Sequence, residues 1–142
     1  MRALLDINIL LALLDRAHIH HHRAREWFKI QVHDGWASCP FTQNGFVRII
    51  SQTKYPKPIG TSEAINLLST ATSTVHHEFW SASISILDEQ SINRNRVHGP
   101  KQLTDLYLLS LAISNGGRLA TFDQKIPLSA VPGASKHDLV IV

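Results

Sequence analysis

Three apolar runs in this chain end on, or are broken by, an aspartate: Ala3-Leu4-Leu5-Asp6, Leu103-Thr104-Asp105-Leu106 and Leu119-Ala120-Thr121-Phe122-Asp123. A carboxylate beside a core is costly unless a hydrogen bond, a cation or a metal compensates it. The chain has only seven Asp and four Glu, so three in this setting point to a converging acidic site. The same runs constrain the fold. Short apolar strands separated by helical segments require a parallel sheet covered on both faces.

Residues 2–5 read as a buried strand leading to Asp6, and residues 7–14 as an apolar helix. A second helix is expected from His18 to Ile30, with Ala24, Trp27 and Phe28 on one face. Gly35 breaks it, and Trp36 to Cys39 reads as strand two. Pro40 opens a helix from Phe41 to about Ser51, and Pro56, Pro58 and Gly60 mark residues 52–60 as a loop. Thr61 is expected to cap a helix whose buried stripe is Ala64, Ile65, Leu67 and Leu68. A helical turn follows at Glu78 to Ser81, then strand three near Ile84 to Leu87. Leu103 to Asn115 reads as an amphipathic helix stopped by Gly116 and Gly117. Arg118 to Thr121 and Leu139 to Val142 supply strands four and five.

No repeat, linker or low-complexity tract divides the 142 residues, so one domain spanning 1–142 is expected. In open parallel sheets, sites form outside the carboxyl ends of the strands. Asp6 and Asp123 follow strands one and four there, and Asp105 opens the helix that feeds strand four. Singly, each aspartate also fits a helix cap. Jointly, three close carboxylates repel one another unless a divalent cation binds, and an oxygen-only set suits Mg²⁺ or Mn²⁺. Asn8 either orients Asp6 or caps the first helix, with the cap preferred. Thr104 and Thr121 are placed to steady the neighbouring aspartates.

The formal charge is +3 and the sequence pI about 9.3, a mild basic bias that fits a nucleic-acid partner without requiring one. Arg48, Arg94, Arg96 and Lys101 are candidate phosphate contacts, weighed against ordinary surface charge. The run His18-Ile19-His20-His21-His22 lacks a Cys partner and the HExxH spacing, and reads as a solvated polar face rather than a zinc site. Cys39 is the only cysteine, so no disulfide forms within the chain. Glycine-rich phosphate cradles and the GxSxG elbow are missing, which removes dinucleotide, nucleoside-triphosphate and serine-hydrolase readings. Asp6, Asn8 and Asp15 interrupt the N-terminal apolar stretch, so an export signal is not expected. No run approaches the roughly 18 residues of a membrane span. A cytoplasmic protein without membrane association is expected.

In their order and spacing these residues resemble the PIN-domain ribonucleases, specifically the VapC-type toxins of toxin–antitoxin pairs. The resemblance rests on Leu4-Leu5-Asp6-Ile7-Asn8, the His-rich start of the Ala24-to-Trp27 helix, and Thr42-Gln43-Asn44-Gly45-Phe46-Val47-Arg48. It continues through Gln102 to Ala112 and Gly117 to Asp123, nearly the whole chain. It implies a three-layer α/β/α fold around a parallel sheet of about five strands. It also implies an endoribonuclease that uses Mg²⁺ or Mn²⁺, forms a homodimer and is inhibited by a small cognate antitoxin. By the resemblance, Asp6, Asp105 and Asp123 hold the metal and activate water. The family's usual fourth acidic residue corresponds to Gln43, an amide that can ligate a metal but carries no charge. That departure motivates the alternative of a catalytically silent PIN-like module binding RNA or protein. A phosphatase using Asp6 as nucleophile ranks third, since position 8 is Asn rather than Asp.

Overall fold

The computed structural model describes residues 1–142. Five parallel strands, β1 (Ala3–Leu5), β2 (Trp36–Ser38), β3 (His77–Phe79), β4 (Arg118–Thr121) and β5 (Leu139–Ile141), form one sheet in the order β3-β2-β1-β4-β5. Five helices connect them: α1 (Ile7–Leu14), α2 (His21–Gln31), α3 (Pro40–Ile50), α4 (Thr61–Thr72) and α5 (Leu103–Ser114). Strands are added outward from β1 to β2 and β3, after which the chain returns to the other side of β1 to begin β4. Crossovers keep one hand, so this reversal places α1–α4 on one face and α5 on the other. The β1/β4 seam is therefore the topological switch point of the sheet. There Leu4 pairs with Leu119 and Leu5 with Ala120.

Successive strand residues face opposite layers. Leu4, Ala37 and Leu119 join α5 in one core, whereas Ala3, Leu5, Trp36 and Ala120 join Ile9, Leu10, Phe46, Ile50, Ala64 and Leu68 in the other. Helix α5 differs from the expected amphipathic one. Leu106 to Ala112 are all buried, because Ile84, Ile92, Val97, Ile126, Ala130 and Val131 pack in the same core. A helix apolar on every side is one that is covered on every side. Gly116, at φ +69°, ends it in the left-handed conformation that favours glycine.

Three other expectations are corrected. Strand three is His77–Phe79, where a helical turn was expected, and Ile84 to Leu87 form no strand. The strand is polar because it is an edge held by side chains. Arg2 donates to the carbonyls of Trp36 (3.1 Å) and His76 (2.8 Å) and pairs with Glu78 (3.1 Å), while Ser38 Oγ meets His77 Nε2 at 2.8 Å. Helix α2 begins at His21 rather than His18. The His20 amide bonds His18 Nδ1, and His21 Nδ1 bonds the Ala12 carbonyl, so side-chain contacts hold these residues in a turn. The cap of α4 is Gly60, without a side-chain bond; Thr61 is its first residue, and Ile65 is 56% exposed rather than buried.

Candidate active site

The first carboxylate is fixed by the end of its own strand. The Asp6 backbone N–H donates to Ala120 O across the β1/β4 seam (3.0 Å), and the residue's extended backbone makes it the N-cap of α1. Its Oδ1 accepts from the Ile7 amide (2.7 Å) and its Oδ2 from the Thr121 hydroxyl (2.7 Å). Asp6 is only 6% exposed. Burial raises its pKa, the Thr121 and Ile7 hydrogen bonds oppose that rise, and the Asp123 charge adds to it. The cap role and the functional placement thus coexist in one residue.

Thr121, at the end of β4, is the hub. Besides donating to Asp6, its Oγ1 accepts from the Asp123 amide (3.1 Å) and from Asn8 Nδ2 (3.3 Å). Asn8 does not cap α1, a role Asp6 takes. Instead it spans to β4, its Oδ1 also receiving the Phe122 amide at 3.4 Å. Asp123 in turn accepts the Lys125 amide at 2.8 Å.

Asp105 enters from the first turn of α5. Burial first, then the charges of Asp6 and Asp123, and last a side-chain hydrogen bond to Asp123 push its pKa up to about 7. The three aspartates therefore sense one another electrostatically. No three His, Cys, Asp or Glu side chains converge into a closed ligand set. Mg²⁺ needs no closed protein cage: it is held through one or two carboxylates and keeps several of its waters. The donor chemistry, anionic oxygen at every position, fits a hard divalent ion.

The remaining candidates separate. Arg48 is exposed on α3 and lines a groove of about 440 Å³ with Ile7, Asn44, Gly45 and Thr104, beside the acidic edge. Thr104 makes no hydrogen bond to Asp105; it is exposed and flanks an apolar recess with Phe41 and Tyr107. Gln43 donates to Ser38 Oγ (3.0 Å) and lines the α3–α4 groove with Ile65, Leu68 and Thr72. None of the hydrogen bonds of Asp6 or the charge couplings of Asp6 and Asp105 involves it. Arg94 pairs with Glu89 at 3.2 Å, both side chains exposed. Arg96 and Lys101 are exposed in the segment before α5.

Gly45 is a positioning residue that sequence reasoning passed over. A Cβ there would collide with the Ile7 side chain at Cδ1 and Cγ1. Glycine lets α3 approach the start of α1 without displacing the side chain of Ile7, the residue after Asp6. A glycine inside a helix costs about 1 kcal/mol relative to alanine, and that cost was the legible signal.

Fold and site together define a class. The chain belongs to the PIN-domain family, in its VapC branch; the PIN domain profile matches residues 3–132. It is 61% identical over 139 residues to ribonuclease VapC44 of Mycobacterium tuberculosis, a match covering 98% of each chain. Ribonuclease VapC38 of the same organism is 42% identical over 122 residues, covering 85% of this chain and 84% of that one. Among solved structures, VapBC2 from Rickettsia felis bound to a promoter DNA fragment superposes with a TM-score of 0.59 at 16% identity. That match spans 88% of this chain and 90% of the other and bears on the fold alone. No helix is long and apolar enough to cross a membrane.

Proposed function

We propose that the chain, acting as a single PIN domain, is the toxin of a toxin–antitoxin pair and an endoribonuclease that hydrolyses RNA phosphodiester bonds with Mg²⁺ or Mn²⁺. The observation that carries the reading is the charge coupling of Asp6 and Asp105 to each other and to Asp123 at the β1/β4 switch point, where burial raises the pKa of Asp6 and of Asp105. Relatives named as ribonucleases, matched over nearly the full chain, support the same chemistry.

In this mechanism Asp6, Asp105 and Asp123 would hold the divalent ion. When bound, that ion lowers the pKa of a water and stabilises charge on the attacked phosphate. Thr121 and the Ile7 amide keep the Asp6 carboxylate in one orientation, and Asn8 ties that arrangement to β4. A divalent ion held there would favour the ionised form of Asp105, since a nearby positive charge lowers a carboxyl's proton affinity. Arg48, at the mouth of the groove, contacts the RNA backbone, with Arg94, Arg96 and Lys101 as more distant phosphate contacts. The nucleophile is water rather than the ribose 2′-hydroxyl, so products carry 5′-phosphate and 3′-hydroxyl ends.

A small cognate antitoxin would face the aspartates with a basic residue, in the cytoplasm where the RNA substrate lies. Exposed Phe41 and Ile86, which line one apolar recess with Leu103 and Tyr107 of α5, support self-association into a homodimer, because clustered apolar surface marks interaction sites. The test is incubation with total RNA, with and without Mg²⁺ or Mn²⁺, and mapping of the cut ends. Metal-dependent fragments with 5′-phosphates are expected. RNA bound and left intact in either metal would favour the silent binding module.

A further inference from the structure

The histidine run does not behave as one solvated face. His18 and His21 are engaged by backbone groups, whereas the His20 ring leans on Phe122, with centroids 5.0 Å apart and planes at 49°. The His18 ring lies 5.8 Å from that of His20, centroid to centroid. The Arg23 guanidinium carbon sits 5.4 Å from the Phe122 ring centroid, in cation–π range. Phe122 itself is the residue between Thr121 and Asp123, and its amide is tied to Asn8. One edge of the acidic site is thus a fan of planar groups from α2 and the turn before it, anchored on the strand end that positions two carboxylates. Phe122 and His20 are half-buried and Arg23 is exposed.

Resting on the ribonuclease reading, we propose that Phe122, His20 and Arg23 form a stacking platform for one nucleobase next to the scissile phosphate. Unpaired bases are taken up by aromatic and histidine rings and by guanidinium planes. Such a platform would splay the strand beside the aspartates and select unpaired RNA. Arg23 would add charge where the adjoining phosphate passes. A purely structural role, in which Phe122 pins α2 to β4, predicts loss of stability and no effect on RNA.

The test uses the full chain in EDTA with short single-stranded oligoribonucleotides carrying 2-aminopurine at each position in turn. The parent protein and Phe122→Tyr should quench one position. Phe122→Leu, which keeps the apolar bulk, should lose that quenching and weaken binding about tenfold. His20→Ala and Arg23→Ala apply the same test with less risk to folding, and each should reduce quenching. With Mn²⁺ added, Phe122→Leu should raise KM and relax the preference for the base beside the cut. No quenched position in the parent, or quenching and affinity in Phe122→Leu equal to the parent's, overturns the platform. Quenching without any cleavage in Mn²⁺ would instead overturn the ribonuclease reading and leave the platform standing.

Discussion

At the joined ends of β1 and β4, polar side chains are buried and bonded to one another. Along β3, at the outer edge of the same sheet, they are exposed and bonded pairwise. Thr121, buried completely, serves Asp6, Asp123 and Asn8 at once. Arg2 and Glu78 meet at 3.1 Å with 29% and 56% of their side chains exposed. Exposed ion pairs contribute little, with a median between about 0 and 1 kcal/mol, whereas an unsatisfied buried acceptor costs about 1–3 kcal/mol or more. Polar groups at the edge hold an ordinary strand in place. Those at the seam hold the Asp6 carboxylate in burial that raises its pKa, a desolvation cost that a bound cation would offset.

That contrast gives ordered expectations. The largest is at the hub. Thr121→Val removes the hydroxyl from a buried carboxylate and should lower stability by about 1–3 kcal/mol. It should also lower cleavage more than the loss of folded protein explains, read by urea unfolding and by rate per folded molecule. Next is Gly45→Ala, where the new methyl group collides with Ile7. Overpacking of this kind costs about 1–3 kcal/mol, and the displacement of α1 should reduce cleavage as well. Were Gly45→Ala to leave both unchanged, the close approach of α1 and α3 would not position the site.

A third expectation separates the regions by pH. Asp105 ordinarily titrates near 3.8 and here titrates at about 7. Between those values the folded protein holds a proton that the unfolded chain has shed. Stability without metal should therefore be greatest below about pH 3.8 for this group and fall as pH rises to 7. Asp6, shifted in the same direction, adds to the fall. Urea unfolding in EDTA at pH 5 and pH 8 should show it, Asp105→Asn should reduce it, and Mn²⁺ should reverse it by replacing the proton. A stability that rises across this window, with the Asp105→Asn slope equal to the parent's, would separate Asp105 from the other two carboxylates.

The smallest effects belong to the edge and to the far side of α3. Glu78→Gln should change stability by about 1 kcal/mol or less and leave cleavage as it was. Gln43→Glu should leave the Mn²⁺-induced rise in Tm at its parental size, because Gln43 is bonded to Ser38. A larger rise in that variant would bring position 43 back to the metal.

The same contrast explains what was legible in the sequence. Asp6 and Asp123 could be read because each closes an apolar strand, and chain order alone sends both to one edge. Helices α1, α3 and α5 followed from apolar runs with Pro40 and Gly116 as boundaries. Strand β3 was illegible because an edge strand needs no apolar signature. Its register with β2 comes from Arg2, Ser38 and Glu78, contacts to residues some forty to seventy-five positions distant in sequence. The direction of Gln43 was equally hidden. Its helix was plain, but which face met the acidic edge depended on Gly45 admitting Ile7, a fact of packing. The role of Asn8 was hidden for the same reason, since its partners on β4 lie 113 and 114 residues away.

Asp105 is the one aspartate of the three delivered by α5, from the opposite layer of the sheet. The deciding measurement is the rate of Mn²⁺-dependent cleavage of a single-stranded RNA by Asp105→Asn, taken on protein shown to unfold cooperatively. Loss of a carboxylate that holds the ion should lower the rate by at least about 100-fold, the scale on which a stabilising group in the transition state acts. Cleavage by the folded variant at the parental rate would contradict the account.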